Sequence, residues 1–237
     1  MKINSVIWDY DGTLVDTKTK NLNVTKAIIS EITGDINIEN SVLNSLENYE
    51  QANIRSSNWR ELYRNEFGLN EEQIDNAGRL WTKLQLQDNT EVELYDGISF
   101  TVQNLNAYSQ GIVSQNSSRI IKNNLEKFKL EKYFNHIVGY EEVDLSRQKP
   151  APEGLLNCIA EITTLKNNDS VIYIGDHNTD IECAYHANER LGRKTIISIL
   201  INYNNRNLIN GWEYKPDFIA NSSEDILEII YKRISEL

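Results

Sequence analysis

Five short apolar runs punctuate the chain. Residues 5–8, 111–113, 136–139, 171–174 and 195–200 are rich in β-branched and aromatic side chains and show no clear polar alternation. That pattern predicts strands covered on both faces, as in a parallel sheet. Between the later runs the period becomes helical. Ile120, Ile121, Leu125 and Phe128 recur at helical spacing over Ser118–Phe128. Leu155, Leu156, Ile159 and Ile162 do the same over residues 152–165, with Pro152 near the first turn, where a missing N–H costs little. Strands alternating with helices predict a doubly wound α/β sheet.

The connection after the first strand breaks that alternation. Residues 17–89 read as helical throughout. Leu22, Ala27, Ile28, Ile29 and Ile32 form one amphipathic stretch, closed by Gly34. Trp59, Leu62, Tyr63 and Phe67 form a second, closed by Gly68, a helix-ending signal. Asn70 and Gln73 have capping-box spacing and open a third, through Ile74, Leu80, Trp81 and Leu84. An all-helical domain over residues 17–89 is therefore expected inside an α/β core made of residues 1–16 and 90–237. Ser222 and Asp225 start a final helix carrying Ile226, Leu227, Ile229, Ile230 and Ile234.

Composition narrows the function. With 237 residues and 40 % hydrophobic content, the chain can bury a substantial core. A net charge of −11 argues against nucleic acid and anionic membranes as partners, since both need clustered Lys and Arg. A small phosphorylated molecule in a locally positive pocket remains open. No stretch reaches the ~18 apolar residues of a membrane span, and the N-terminus lacks a signal-peptide pattern, so a cytoplasmic location is expected. Cys158 and Cys183 are expected as free, buried thiols.

Four segments carry candidate chemistry, each placed just beyond a strand or a stiff turn. Asp9-Tyr10-Asp11-Gly12-Thr13 delivers two carboxylates to the end of the first strand, where open α/β sheets bind ligands. Asp-x-Asp-Gly also opens calcium loops, but such a loop needs Glu at its twelfth position, and here that position is Lys20. Gly175-Asp176-His177-Asn178-Thr179-Asp180 follows another strand, and Asp180 lies one helical turn beyond Asp176. Acidic groups converging there would repel one another without a divalent cation, and an oxygen-only ligand set points to magnesium. Helix capping is the simpler alternative for these aspartates. Ser114-Gln115-Asn116-Ser117-Ser118 offers a hydroxyl and successive N–H groups at a helix start, which suits an anion or simply a cap. Lys149 sits beside Pro150 and Pro152, which stiffen the backbone that presents it.

In order and context these segments resemble the four motifs of the haloacid dehalogenase-like hydrolase superfamily, over nearly the whole chain. The likeness is strongest to its phosphoglycolate-phosphatase-like and β-phosphoglucomutase-like members. The resemblance implies a three-layer Rossmann-like parallel sheet core with an inserted helical cap that closes over the site. It implies a magnesium-dependent phosphatase acting on a small phosphorylated substrate. Asp9 would be the nucleophile and Asp11 the general acid/base. Ser114 and Lys149, with Gln115 beside them, would hold the phosphoryl group. Magnesium would be bound by Asp9, by Asp11 through its main-chain carbonyl, and by Asp176, with Asp180 supporting the metal site or Lys149. Gln115 stands where Asn is common and His177 where a small residue is usual, which weakens any carry-over of phosphate contacts beyond Ser114. The segment before the second strand is short, so its helix is expected to be trimmed.

Asp11 argues against the dehalogenase and phosphonate-hydrolase branches, which lack an acid at that position. A mutase uses the same two aspartates and is the alternative; Thr13 leans toward hydrolysis. A non-catalytic binding module would be favoured by a lost carboxylate, and none is lost. In the helical insert, Arg55, Arg60, Arg64 and Arg79 are candidates for a second anionic group on the substrate, or solvated faces. Trp59 and Trp81 are expected in that domain's core.

Overall fold

A computed structural model describes residues 2–35, 40–56, 58–203 and 209–233. In chain order the elements are β1 (Lys2–Trp8), β2 (Val15–Asp16), α1 (Lys18–Thr33), α2 (Leu46–Arg55), α3 (Trp59–Phe67), α4 (Glu71–Gln87) and β3 (Glu93–Leu94). There follow α5 (Ile98–Asn104), β4 (Ser109–Val113), α6 (Ser118–Phe128), β5 (His136–Val138), α7 (Glu153–Ile162) and β6 (Asp169–Gly175). The chain continues with α8 (Asn178–Leu191), β7 (Ile196–Ile201), β8 (Phe218–Ala220) and α9 (Ser223–Glu228). It divides into two compact units, residues 1–15 with 94–237, and residues 16–93.

The first unit is the α/β core expected from the apolar runs. Its sheet has the order β5-β4-β1-β6-β7-β8, and every pairing is parallel. The chain builds outward from β1 to β4 and β5, then returns to the other side of β1 for β6, β7 and β8. The strand order thus reverses at β1, and ligand crevices in such sheets open beyond the carboxyl ends at that reversal. The buried faces explain the unbroken apolar runs: Ile7, Val113, Val171, Tyr173 and Ile196 pack with Leu155, Cys158 and Ile159 of α7 and Cys183, Ala184 and Ala187 of α8. Both cysteines are buried and unpaired.

The second unit is helical and has its own core of Leu22, Ile28, Tyr49, Leu62, Tyr63 and Ile74, with Trp59 and Trp81 packed against it. Its helix ends follow their local chemistry. Gly34 and Gly68 adopt left-handed conformations at the ends of α1 and α3. Asn70 and Gln73 form a reciprocal capping box at the start of α4. Arg55 pairs with Glu66, Arg60 with Glu71 and Asp75, and Arg64 with Glu71, so three of the four arginine candidates face carboxylates of their own unit.

Some elements escape the periodicity. α2 had no residues singled out in the sequence; Ser45 starts it, its hydroxyl accepting from Asn48 N–H, and Tyr49 and Ala52 enter the helical core with Leu46 packed against it. β8 is three residues long and is held to β7 by Asp217, whose carboxylate accepts from Ser198 N–H. α5, ahead of β4, is the short helix expected there. Ser222 caps α9 as expected, but the helix loosens into a π turn over Ile229–Arg233, and Ile234 lies outside the described residues.

Candidate active site

β1 ends at Trp8, and the chain turns at once. The carbonyl of Tyr10 accepts from the N–H groups of Thr13, Leu14 and Val15, and Gly12 N–H donates to Val15. This tight turn holds Asp9 and Asp11 at the carboxyl end of the central strand. Gly12 makes it possible twice over. Its φ is +78°, and a Cβ there would lie 2.2 Å from Asp176 Oδ2. Gly12→Ala is therefore expected to cost about 1–3 kcal/mol of stability, from backbone strain and displacement of Asp176. Urea unfolding of the two proteins would read this; equal midpoints would contradict it.

The buried ammonium of Lys149 bridges two carboxylates. It lies 2.6 Å from Asp9 Oδ1 and 2.7 Å from Asp180 Oδ1. The second oxygen of Asp180 accepts from His177 N–H at 3.1 Å, and Tyr173 hydroxyl donates to Oδ1 at 2.9 Å. Asp180 thus has both oxygens engaged by the protein. A Cβ at Gly175 would lie 2.3 Å from its Cγ, so the strand end must be bare for Asp180 to reach inward. Asp176 accepts from Thr13 hydroxyl at 3.3 Å. Carboxylate oxygens of Asp9, Asp176 and Asp180 all come within 4.8 Å of one another. Burial pushes Asp9 up to about 7, against the pull of Lys149 and with the push of Asp180 and Asp11. Asp176 is held well above the carboxylate range by burial first and then by Asp9 and Asp180. Burial lowers Lys149, but Asp180 and Asp9 outweigh it and keep the ammonium charged. Three acidic groups with one cation leave the cluster short of positive charge.

The segment after β4 behaves differently from a bare anion site. Ser114 is buried, and its hydroxyl accepts from Asn116 N–H at 3.1 Å. Ser117 N–H donates to Asn116 Oδ1, and Ser118 N–H donates to Glu141, so the start of α6 is filled by the protein's own oxygens. Gln115 turns its amide to the main-chain carbonyl of Lys149 at 3.0 Å, which ties down the loop carrying that lysine. Gln148 and Cys183 brace the same loop through Tyr140, Val143 and Ala151 carbonyls. His177 accepts from Thr179 N–H at the start of α8, a capping role. Sequence reasoning assigned none of these contacts to Asn116, Glu141, Tyr173 or Thr13. Asn116 and Thr13 stood inside two of the motifs, which was the available signal.

Residues 6–192 match the family model described as haloacid dehalogenase-like hydrolase. A pyrophosphatase PpaX of Bacillus mycoides (strain KBAB4) is 25 % identical over 233 residues, covering 97 % of this chain and 98 % of that protein. The Bacillus thuringiensis (strain Al Hakam) protein of the same name is 26 % identical over 238 residues, covering 97 % of each. Among solved structures, a predicted phosphoglycolate phosphatase from Haemophilus somnus 129pt aligns with a TM-score of 0.69 at 18 % identity, covering 97 % of this chain and 99 % of that one. A haloacid dehalogenase-like family protein from Streptococcus pneumoniae aligns at 0.68 and 17 %, covering 96 % and 98 %. At those identities the structural matches speak for the fold. No helix among the described residues is long and apolar enough to cross a membrane.

Proposed function

The chain belongs to the haloacid dehalogenase-like hydrolase family, and on that premise we propose that it is a magnesium-dependent phosphomonoester hydrolase of the cytoplasm, acting on a small metabolite through a phosphoryl group carried on Asp9. The observation that carries this reading is the cluster at the end of β1: Asp9 bonded to buried Lys149 at 2.6 Å, beside Asp176 and Asp180. Residues 17–89 are assigned as the cap that selects the substrate.

An oxygen-only donor set lacking positive charge suits a hard divalent cation. Asp9, Asp176 and the main-chain carbonyl of Asp11 are the proposed ligands. Asp180, whose oxygens serve Lys149, Tyr173 and His177, supports the site from behind. Magnesium bound there would offset the repulsion between a carboxylate and a phosphate dianion.

The chain's own groups then divide the work. An Asp9 oxygen attacks phosphorus, and the bond from phosphorus to the leaving oxygen breaks. Asp11 gives its proton to that oxygen. Lys149 and Ser114 hold the phosphoryl oxygens, since phosphoryl transfer is mostly positioning and electrostatics. Asp11 next takes a proton from water, whose oxygen attacks the phosphorus on Asp9. Phosphate leaves and the Asp9 carboxylate returns.

Turnover of p-nitrophenyl phosphate should need magnesium, vanish in EDTA and return poorly with calcium, whose looser geometry misplaces Asp9. Full activity after verified metal removal would sink the metal assignment. Magnesium should also raise the melting temperature, and the rise should grow with pH. Asp9, with its raised pKa, is protonated in the metal-free fold below about 7, so protons compete with the metal there, and the burden of its charge is felt only as pH climbs. A magnesium shift of equal size at pH 5.5 and 8 would contradict this. A substrate screen should pair sugar phosphates, phosphoglycolate and nucleoside monophosphates with pyrophosphate, the substrate that the names of the Bacillus relatives suggest. Conversion of β-glucose 1-phosphate to glucose 6-phosphate faster than phosphate release would replace hydrolysis with a mutase.

A further inference from the structure

We infer that Asn116 is a positioning residue that fixes the carboxylate of Asp11 for proton transfer at the leaving oxygen. The inference rests on the reading above, in which Asp11 moves that proton. Asn116 Nδ2 lies 3.1 Å from Asp11 Oδ1 and 3.0 Å from Oδ2, so one amide group grips both oxygens. The amide cannot usefully turn over. Its Oδ1 accepts from Ser117 N–H at 2.7 Å. A flipped amide would set an N–H₂ against that N–H and an oxygen against the Asp11 carboxylate, and both ends would repel.

The backbone beneath this side chain is equally committed. Asn116 N–H donates to Ser114 hydroxyl, and its carbonyl accepts from Tyr140 N–H. Gly139 lets the two loops approach, since a Cβ there would lie 2.8 Å from the Asn116 carbonyl oxygen. Asn116 is buried, while Asp11 lies in the tight turn after β1 and is only half-buried. Asn116 is therefore the rigid partner of the pair and Asp11 the held one. A proton donor must lie within hydrogen-bond reach of the reacting atom, and small misplacements are costly.

The test is a comparison of substrates as well as rates. Asn116→Asp keeps an oxygen for Ser117 N–H while removing the donor to Asp11; Asn116→Ala removes both. Melting curves establish that each variant is folded. For each, kcat/KM is measured on p-nitrophenyl phosphate, whose leaving group departs without a proton, and on an alkyl phosphate, whose leaving group needs one. The alkyl phosphate should lose about 100-fold, the scale of a misplaced catalytic group, and p-nitrophenyl phosphate should lose far less. Competitive inhibition by inorganic phosphate should be unchanged in Asn116→Ala, which adds no charge. Asp11→Asn should show the same selective loss, and adding Asn116→Ala to it should cost little more, because residues acting as a unit are non-additive. Equal losses on both substrates, or losses that multiply in the double variant, would overturn the role of Asn116 while leaving the phosphatase reading intact. A wild-type protein without phosphatase activity on either substrate would overturn both.

Discussion

Asp9→Asn should abolish turnover, by about 10³-fold or more, while the protein stays folded. The change keeps the shape of the side chain and removes the attacking oxygen, one proposed magnesium ligand and the anionic partner of Lys149. Losing a covalent nucleophile removes the pathway itself rather than one stabilising contact, so the loss belongs with knockouts of a whole catalytic unit. The fold should not suffer, because burial pushes the Asp9 carboxyl up to about 7 and so disfavours its charged form. Removing a group whose charged form the fold disfavours is neutral or mildly stabilising above that pH. The check is a purified variant assayed with magnesium beside a melting curve. Activity above a few per cent of wild type would remove Asp9 from the role of nucleophile.

Lys149→Met should be nearly as damaging to activity and far more damaging to stability. Methionine fits the volume but leaves Asp9 and Asp180 facing each other in a buried site. Breaking a buried ion pair by removing one partner costs about 3–5 kcal/mol. In a chain of this size that corresponds to a melting temperature lower by about 10 °C. The sign of its pH dependence follows. With the lysine gone, protonation relieves the clash, so the deficit against wild type should shrink as pH falls from 8 to 6. Activity should drop by about 10²–10³-fold, the scale seen when one preorganised oxyanion-hole donor is lost. Melts at pH 8 and pH 6 in EDTA, with a phosphatase assay, test both halves. A variant as stable as wild type at pH 8 would refute the bridging role.

The architecture was legible because its signals are local. Five apolar runs marked five of the six strands of the main sheet, and Gly34, Gly68 and the Asn70–Gln73 box marked helix ends that depend on neighbours in sequence. β8 was not legible, since it is three residues long and held by Asp217. At the site, the aspartates stood out because charge is rare beside buried strands, and Lys149 because prolines flank it. What sequence spacing could not supply was the partner of each charge. That Asp180 spends both oxygens on Lys149, Tyr173 and His177, or that Gln115 braces the Lys149 loop instead of pointing at an anion, depends on which strands lie side by side. Glu141 at the start of α6 is a further case: it comes from beyond β5, and its presence there is decided by sheet order.

The insertion between Leu14 and Tyr95 leaves the α/β core at a single point, because Tyr95 N–H donates directly to the Leu14 carbonyl at 3.1 Å. The departing and returning backbones are hydrogen-bonded neighbours, so the helical unit is a cassette in the engineering sense. Excising it needs only a tight turn to rejoin the ends, and loop-closure entropy barely changes with what is spliced in. Asp9, Asp11, Asn116, Lys149 and Asp180 and the hydrogen bonds among them lie wholly on the core side of that splice. The carboxylate cluster and the helical cassette are therefore separable by recombination at this junction, where one hydrogen-bonded pair of residues marks both the exit and the return of the chain.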